Sequence, residues 1–190
     1  MLRASALVIP LLLLVACAEP PSKEMHQAQG AIDAAKAAGA EQYAADALKA
    51  AVDALARADV AVAASDYRQA LANALDSREY AQNAAKTAVD TRARARGDAE
   101  RELAEATALV QRAEARLGAP DTARLPRRVV TPAQAAVDAA KTTLQEARAA
   151  LEQEEYAQVG KAAASVTAQI EAALLALDAP APAPARGRTR

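Results

Sequence analysis

Apolar residues recur along most of this chain in alternating steps of three and four, the spacing that lines one face of an α-helix. From Lys23, the positions Met25, Ala28, Ile32 and Ala35 share such a face, and Gly39 in Ala38-Gly39-Ala40 fits a helix C-cap. A second run carries Ala44, Leu48, Ala51, Leu55, Ala58 and Val62, the seam of antiparallel helix packing. Ser65-Asp66 interrupts it and supplies a cap for a third helix beginning near Tyr67. That helix is expected to reach about Leu117. Its first half is apolar at Ala70, Leu71, Ala74, Leu75, Ala81, Ala84 and Ala88, and its second at Ala99, Leu103, Ala106, Val110, Ala113 and Leu117. Between Val89 and Leu103 no large apolar residue occurs, and Arg92, Arg94, Arg96, Asp98, Glu100 and Arg101 surround Gly97. A helix polar on all sides is expected to be solvated between packed bodies, so this stretch reads as a charged connector with a bend at Gly97.

Gly118-Ala119-Pro120 ends the third helix, and a loop through Arg127-Arg128 leads to Thr131-Pro132, which reads as the cap and first residue of the next helix. That helix shows Ala133, Val137, Ala140, Leu144, Ala147 and Leu151. Glu154-Glu155 marks a turn, and a last helix carries Val159, Ala163, Val166, Ile170, Ala173 and Leu177. An Ala-Pro tail with polyproline character follows, ending in Arg186, Arg188 and Arg190.

Sliding the chain by 89 positions sets Leu48 on Val137, Ala51 on Ala140, Leu55 on Leu144, Ala58 on Ala147 and Val62 on Leu151. Asp66-Tyr67 then falls on Glu155-Tyr156, and Gln69 on Gln158. Upstream, Gly39-Ala40 matches Gly118-Ala119 at a shift of 79, which implies a loop about ten residues longer in the second copy. The expected fold is all-α, either elongated antiparallel helical hairpins or two three-helix units sharing a long central helix. The expected divisions are a leader over 1–16, a tether over 17–22 and helical units over 23–91 and 102–178. The charged connector covers 92–101, and a Pro/Arg-rich disordered tail covers 179–190.

Composition refines this picture. Alanine makes up roughly three residues in ten, Phe and Trp are absent, and tyrosine is the only aromatic. Alanine has the highest helix propensity but buries little apolar area, so long helices around a thin core are expected. Aromatic platforms for stacking sugars or bases are nearly absent. With 23 basic and 24 acidic residues, no strong field favours nucleic acid.

The N-terminal segment breaks the helical pattern. Arg3 precedes an apolar stretch from Leu7 to Ala16, about ten residues and well short of the ~20 that span a bilayer. It closes on Leu14-Val15-Ala16-Cys17. This run resembles a bacterial lipoprotein signal, in which Leu, an aliphatic residue and a small residue precede an acylated cysteine. The resemblance implies thioether attachment of a diacylglycerol at Cys17, cleavage before it and acylation of the freed amine. Two or more chains anchor firmly. Ala18, where Asp favours inner-membrane retention in enterobacterial lipoproteins, implies an outer-membrane, periplasm-facing location. Cys17 is the only cysteine, so acylation leaves no thiol for a disulfide or metal site.

The segment from Ala31 to Val89 has a further likeness. Its Ala-rich helix, Ala38-Gly39-Ala40, Tyr43-Ala44-Ala45, Leu48-x-x-Ala51 and Ala64-Ser65-Asp66-Tyr67-x-x-Ala70 resemble a domain-of-unknown-function family of small bacterial envelope lipoproteins. Its members are often encoded beside, or fused to, OmpA-like peptidoglycan-binding domains, and commonly carry Pro where this chain has Ala45. The resemblance implies a periplasm-facing helical protein with no catalytic residues to carry over, and an OmpA-like or other envelope protein as partner.

Candidate chemistry is sparse. His26 is the only histidine, and no Gly-rich phosphate loop is present. The carboxylates Glu152, Glu154 and Glu155 fall where a helix end needs solvation, and an Ala-Leu seam leaves little room for the pocket that paired acid/base work requires. No enzyme activity, cofactor or metal is expected. Tyr67 and Tyr156 occupy equivalent turns and read as covers for hairpin ends. The expected role is a non-catalytic outer-membrane lipoprotein, held in the membrane by its lipid anchor and serving as a helical spacer or interaction module. The alternative is direct binding of peptidoglycan or lipopolysaccharide through basic segments, above all the tail arginines Arg186, Arg188 and Arg190. Small-residue faces near Ala81 to Ala88 also allow pairing between copies.

Overall fold

A computed structural model of the chain describes residues 19–179. These residues are helical apart from short connections: α1 (Ser22–Ala37), the single turn α2 (Ala40–Tyr43), α3 (Ala45–Ala63), α4 (Tyr67–Leu117), a 3-10 turn (Pro120–Arg124), α5 (Arg127–Glu152) and α6 (Tyr156–Asp178). The fold is all-α, with α4 as a long helix shared by two compact units that divide between Val89 and Asp90.

In unit 1, α1, α3 and the first part of α4 meet through small side chains. Ala28, Ile32 and Ala35 are buried on α1, and Leu48, Ala51, Ala54, Ala58 and Ala61 on α3. Leu55 and Val62, expected at the α3 seam, are only half-buried. Helix axes approach most closely where the side chain is a methyl, so Ala54 and Ala61 are buried while the larger Leu55 and Val62 beside them flank the seam. The same rule acts on α4: Ala70, Ala74, Ala81, Ala84 and Ala88 are fully buried, while Leu71 and Leu75 stay 38% and 39% exposed. Ser77 completes that seam. It is fully buried, and its Oγ donates to the carbonyl of Ala51 at 2.8 Å, so the hydroxyl enters the core without an unmet hydrogen bond.

The α1–α2 corner depends on Gly39, whose φ of +87° suits glycine. Its N–H donates to Lys36 and its carbonyl accepts from Gln42 and Tyr43, so one residue ends α1 and starts α2. Gly118 has no positive φ. The paired Gly-Ala steps therefore do different local work, although both stand at helix ends.

The charged stretch of α4 is helical throughout, Gly97 included. It is not polar on all sides. The four-three spacing of Ala81, Ala84 and Ala88 continues through Arg92, Ala95 and Ala99 to Leu103, with Ala99 only 2% exposed. A small residue and the stem of an arginine keep the register where no large apolar residue occurs.

In unit 2, the rest of α4 packs with α5 and α6. Helix α5 starts at Arg127, before the Thr131-Pro132 step, and Pro132 lies inside it. Pro132 removes one intrahelical hydrogen bond. The early start brings Val129 and Leu125 against a cluster of Ala133, Ala173 and Leu177 that also gathers Leu117. That apolar contact opposes the lost bond. The connections 38–44 and 118–126 are close in length, and the extra residues of the second copy go into α5, which has 26 residues against 19 in α3. The expected long loop is thus mainly added helix.

The repeat is clear in burial. On α6, Tyr156, Val159, Ala163, Val166, Ile170, Ala173 and Leu177 are buried. Each lies 89 positions after a seam residue of α4, from Tyr67 and Ala70 through Ser77 to Ala88. The α3–α4 and α5–α6 turns share one hydrogen-bond pattern. Asp66 N–H donates to Ala61 and Ser65 N–H to Val62; Glu155 N–H donates to Ala150 and Glu154 N–H to Leu151. This is the Schellman arrangement, with Ser65 (φ 58°) and Glu154 (φ 62°) in the left-handed position.

Candidate functional site

The residues with the sharpest functional expectations lie outside the described segment: Leu14, Val15, Ala16 and Cys17 before it, and Arg186, Arg188 and Arg190 after it. Among the described residues, the polar groups gather at three places.

The first is the α5–α6 turn. Glu154 projects from its left-handed residue, and both carboxylate oxygens accept from Arg92 Nη2 on α4. The Arg92 guanidinium is held above its ordinary pKa by this hydrogen bond and then by the Tyr156 hydroxyl. Tyr156 is 7% exposed, so its ring covers the hairpin end beside the ion pair. Tyr67, its counterpart, is half-buried. One turn on, Arg96 Nε donates to Glu100 at 2.7 Å, and Arg101 donates to Asp98 at 2.9 Å. Arg92, Arg96 and Arg101 therefore meet carboxylates of the chain itself, which reduces the charge they offer to an anionic polymer. Arg94, Arg127 and Arg128 are exposed.

The second is a cation that periodicity did not single out. Arg116, in the last turn of α4, donates through Nε to Asp178 at 2.7 Å. Its Nη1 reaches Thr122 Oγ1 at 2.8 Å and Asp121 at 3.3 Å, and its Nη2 the carbonyl of Leu177 at 3.3 Å. Thr122, 5% exposed, donates back to the Arg116 carbonyl at 2.7 Å. One fork thus joins the ends of α4 and α6 to the 3-10 turn. The hydrogen bond to Asp178 raises the Arg116 pKa, against the opposing effect of partial burial. The sequence offers only a weak hint, a basic residue near a helix C-terminus; its partners come from distant segments.

The third is a pair of open grooves. In unit 2, α4 and α6 flank a groove lined by Glu102, Glu105, Lys161 and Glu171 together with Gly160 and the buried Ala163. A Cβ at Gly160 would meet Glu102 Oε2 at 2.8 Å, so a side chain there would displace the end of that flexible carboxylate. In unit 1, Pro20, Met25, Leu55 and Val62 line a groove with His26 and Asp59 at its rim. His26 is exposed. Among the described residues, no three acidic, histidine or cysteine side chains converge as metal ligands, and no helix is long and apolar enough to cross a membrane. No family model, curated protein or solved structure matches the chain.

Proposed function

We propose that this protein is a non-catalytic lipoprotein of the outer membrane that acts as a helical spacer or protein-interaction module facing the periplasm. The observation that carries the reading is Leu14-Val15-Ala16-Cys17 behind Arg3 and a ten-residue apolar stretch. Thiol acylation needs a cysteine, small neighbours admit a peptidase, and the apolar run is too short to span a bilayer. The helical repeat adds support, because packed seams with solvated outer faces present surface for protein contact. An OmpA-like or other envelope protein is the partner class the reading implies. Cys17→Ser is expected to abolish labelling by a radiolabelled fatty acid and to move the protein from the membrane to the soluble fraction. Retention of the variant in outer-membrane fractions would overturn the reading.

A further inference from the structure

Cys17 is joined to one end of unit 1 by a very short stretch of chain. Glu19 lies two positions after Cys17, a span of at most about 7 Å, and Ser22 five positions after it, at most about 17 Å. From Pro20 onward the chain is held to the unit. Pro21 is buried, Ser22 N–H donates to the Pro20 carbonyl at 2.8 Å, and Met25 N–H donates to Pro21 at 3.0 Å. Pro20, Ser22 and Met25 share a groove with Leu55, Asp59 and Val62, so the start of α1 lies beside the end of α3. The α3–α4 turn, with Ser65 in its left-handed position, is therefore at the same end. The other corner of unit 1, residues 38–44, lies beyond the far end of α1, 16 residues away along the helix and so about 24 Å distant.

This end also exposes apolar side chains. Val60 is 70% exposed, one turn before the end of α3, and Leu71 is 38% exposed, one turn into α4. Neither would hold a free protein on a membrane. A tether this short changes the arithmetic, because an intramolecular contact forms at high effective concentration and needs little intrinsic affinity. We infer that the α3–α4 turn of unit 1 rests on the bilayer surface, with Val60 and Leu71 in contact with the headgroup region. The inference depends on acylation of Cys17, and it specifies which end of unit 1 faces the lipid and which faces away.

Acylation removes the chain's only thiol, so a new cysteine can be labelled selectively. Ala64→Cys, in the turn, and Gln42→Cys, at the opposite corner, both replace exposed residues. Each acylated variant would carry a bimane label in vesicles of phosphatidylethanolamine and phosphatidylglycerol doped with headgroup-nitroxide lipid. Quenching of the label in the Ala64→Cys variant is expected to exceed that in the Gln42→Cys variant several-fold. In the Ala64→Cys background, Val60→Asp with Leu71→Asp should remove most of the difference while the protein stays vesicle-bound. Equal quenching in the two variants, with Cys17 acylation verified by mass spectrometry, would overturn the inference and leave the lipoprotein reading intact. An unacylated Cys17 would overturn both.

Discussion

Glycine and serine occupy left-handed positions in unit 1 for different reasons. Gly39 has φ +87° and a Tyr43 ring carbon 3.4 Å from where a Cβ would stand. Gly118 has no positive φ, and its added Cβ would meet backbone oxygens no closer than 3.5 Å. Gly39→Ala is therefore expected to lower stability by about 1–2 kcal/mol, the cost of a left-handed L-residue. Gly118→Ala should leave it within about 0.5 kcal/mol. Urea unfolding followed by circular dichroism checks both, and equal losses would show that the corners do not differ as described. In the sequence the two Gly-Ala steps look alike, because a residue name does not carry its φ. Ser77 is illegible there for a related reason. A polar residue at a seam position reads as surface until its partner, the Ala51 carbonyl on another helix, is known.

Helix ends show where local signals hold and where they yield. Asp66 reads as a cap and acts as one, its Oδ1 accepting from the Gln69 N–H at 3.0 Å. Thr131-Pro132 carries an equally good local signal, yet α5 begins at Arg127, because Leu125 and Val129 find an apolar cluster supplied by α4 and α6. The connection ahead of α5 depends on Arg116 in the same nonlocal way. Arg116→Met removes the fork that joins Asp178, Thr122 and Leu177, and is expected to expose the segment around Arg124, Arg127 and Arg128. Trypsin should then cut there faster than in the parent protein, with Arg116→Lys giving only partial protection because an ammonium lacks the planar fork. Unchanged cleavage in Arg116→Met would mean that the apolar cluster alone holds the segment. The site residues at Cys17 and in the arginine tail are legible only as sequence, since they lie outside the described residues.

At the scale of the whole molecule, one seam pattern is filled in two ways. The positions that carry Val166, Ile170 and Leu177 in unit 2 carry Ser77, Ala81 and Ala88 in unit 1. Among the described residues, five of the six largest fully buried side chains belong to unit 2. Burial stabilises in proportion to apolar area, so unit 2 should be the more stable half. Native-state hydrogen exchange is expected to show greater protection in α5 and α6 than in α1 and α3. Ile170→Ala should remove about 2–5 kcal/mol, the range for emptying a packed aliphatic site. Equal protection in both units would show that close alanine packing compensates for the missing bulk. The repeated turns lead to a different kind of freedom. Their Schellman hydrogen bonds use backbone groups alone, and the left-handed residue is a serine in one copy and a glutamate in the other. Position 65 is thus open to rewriting: an epitope, a fluorophore or a charge placed there would change what that corner displays without touching the bonds that close it.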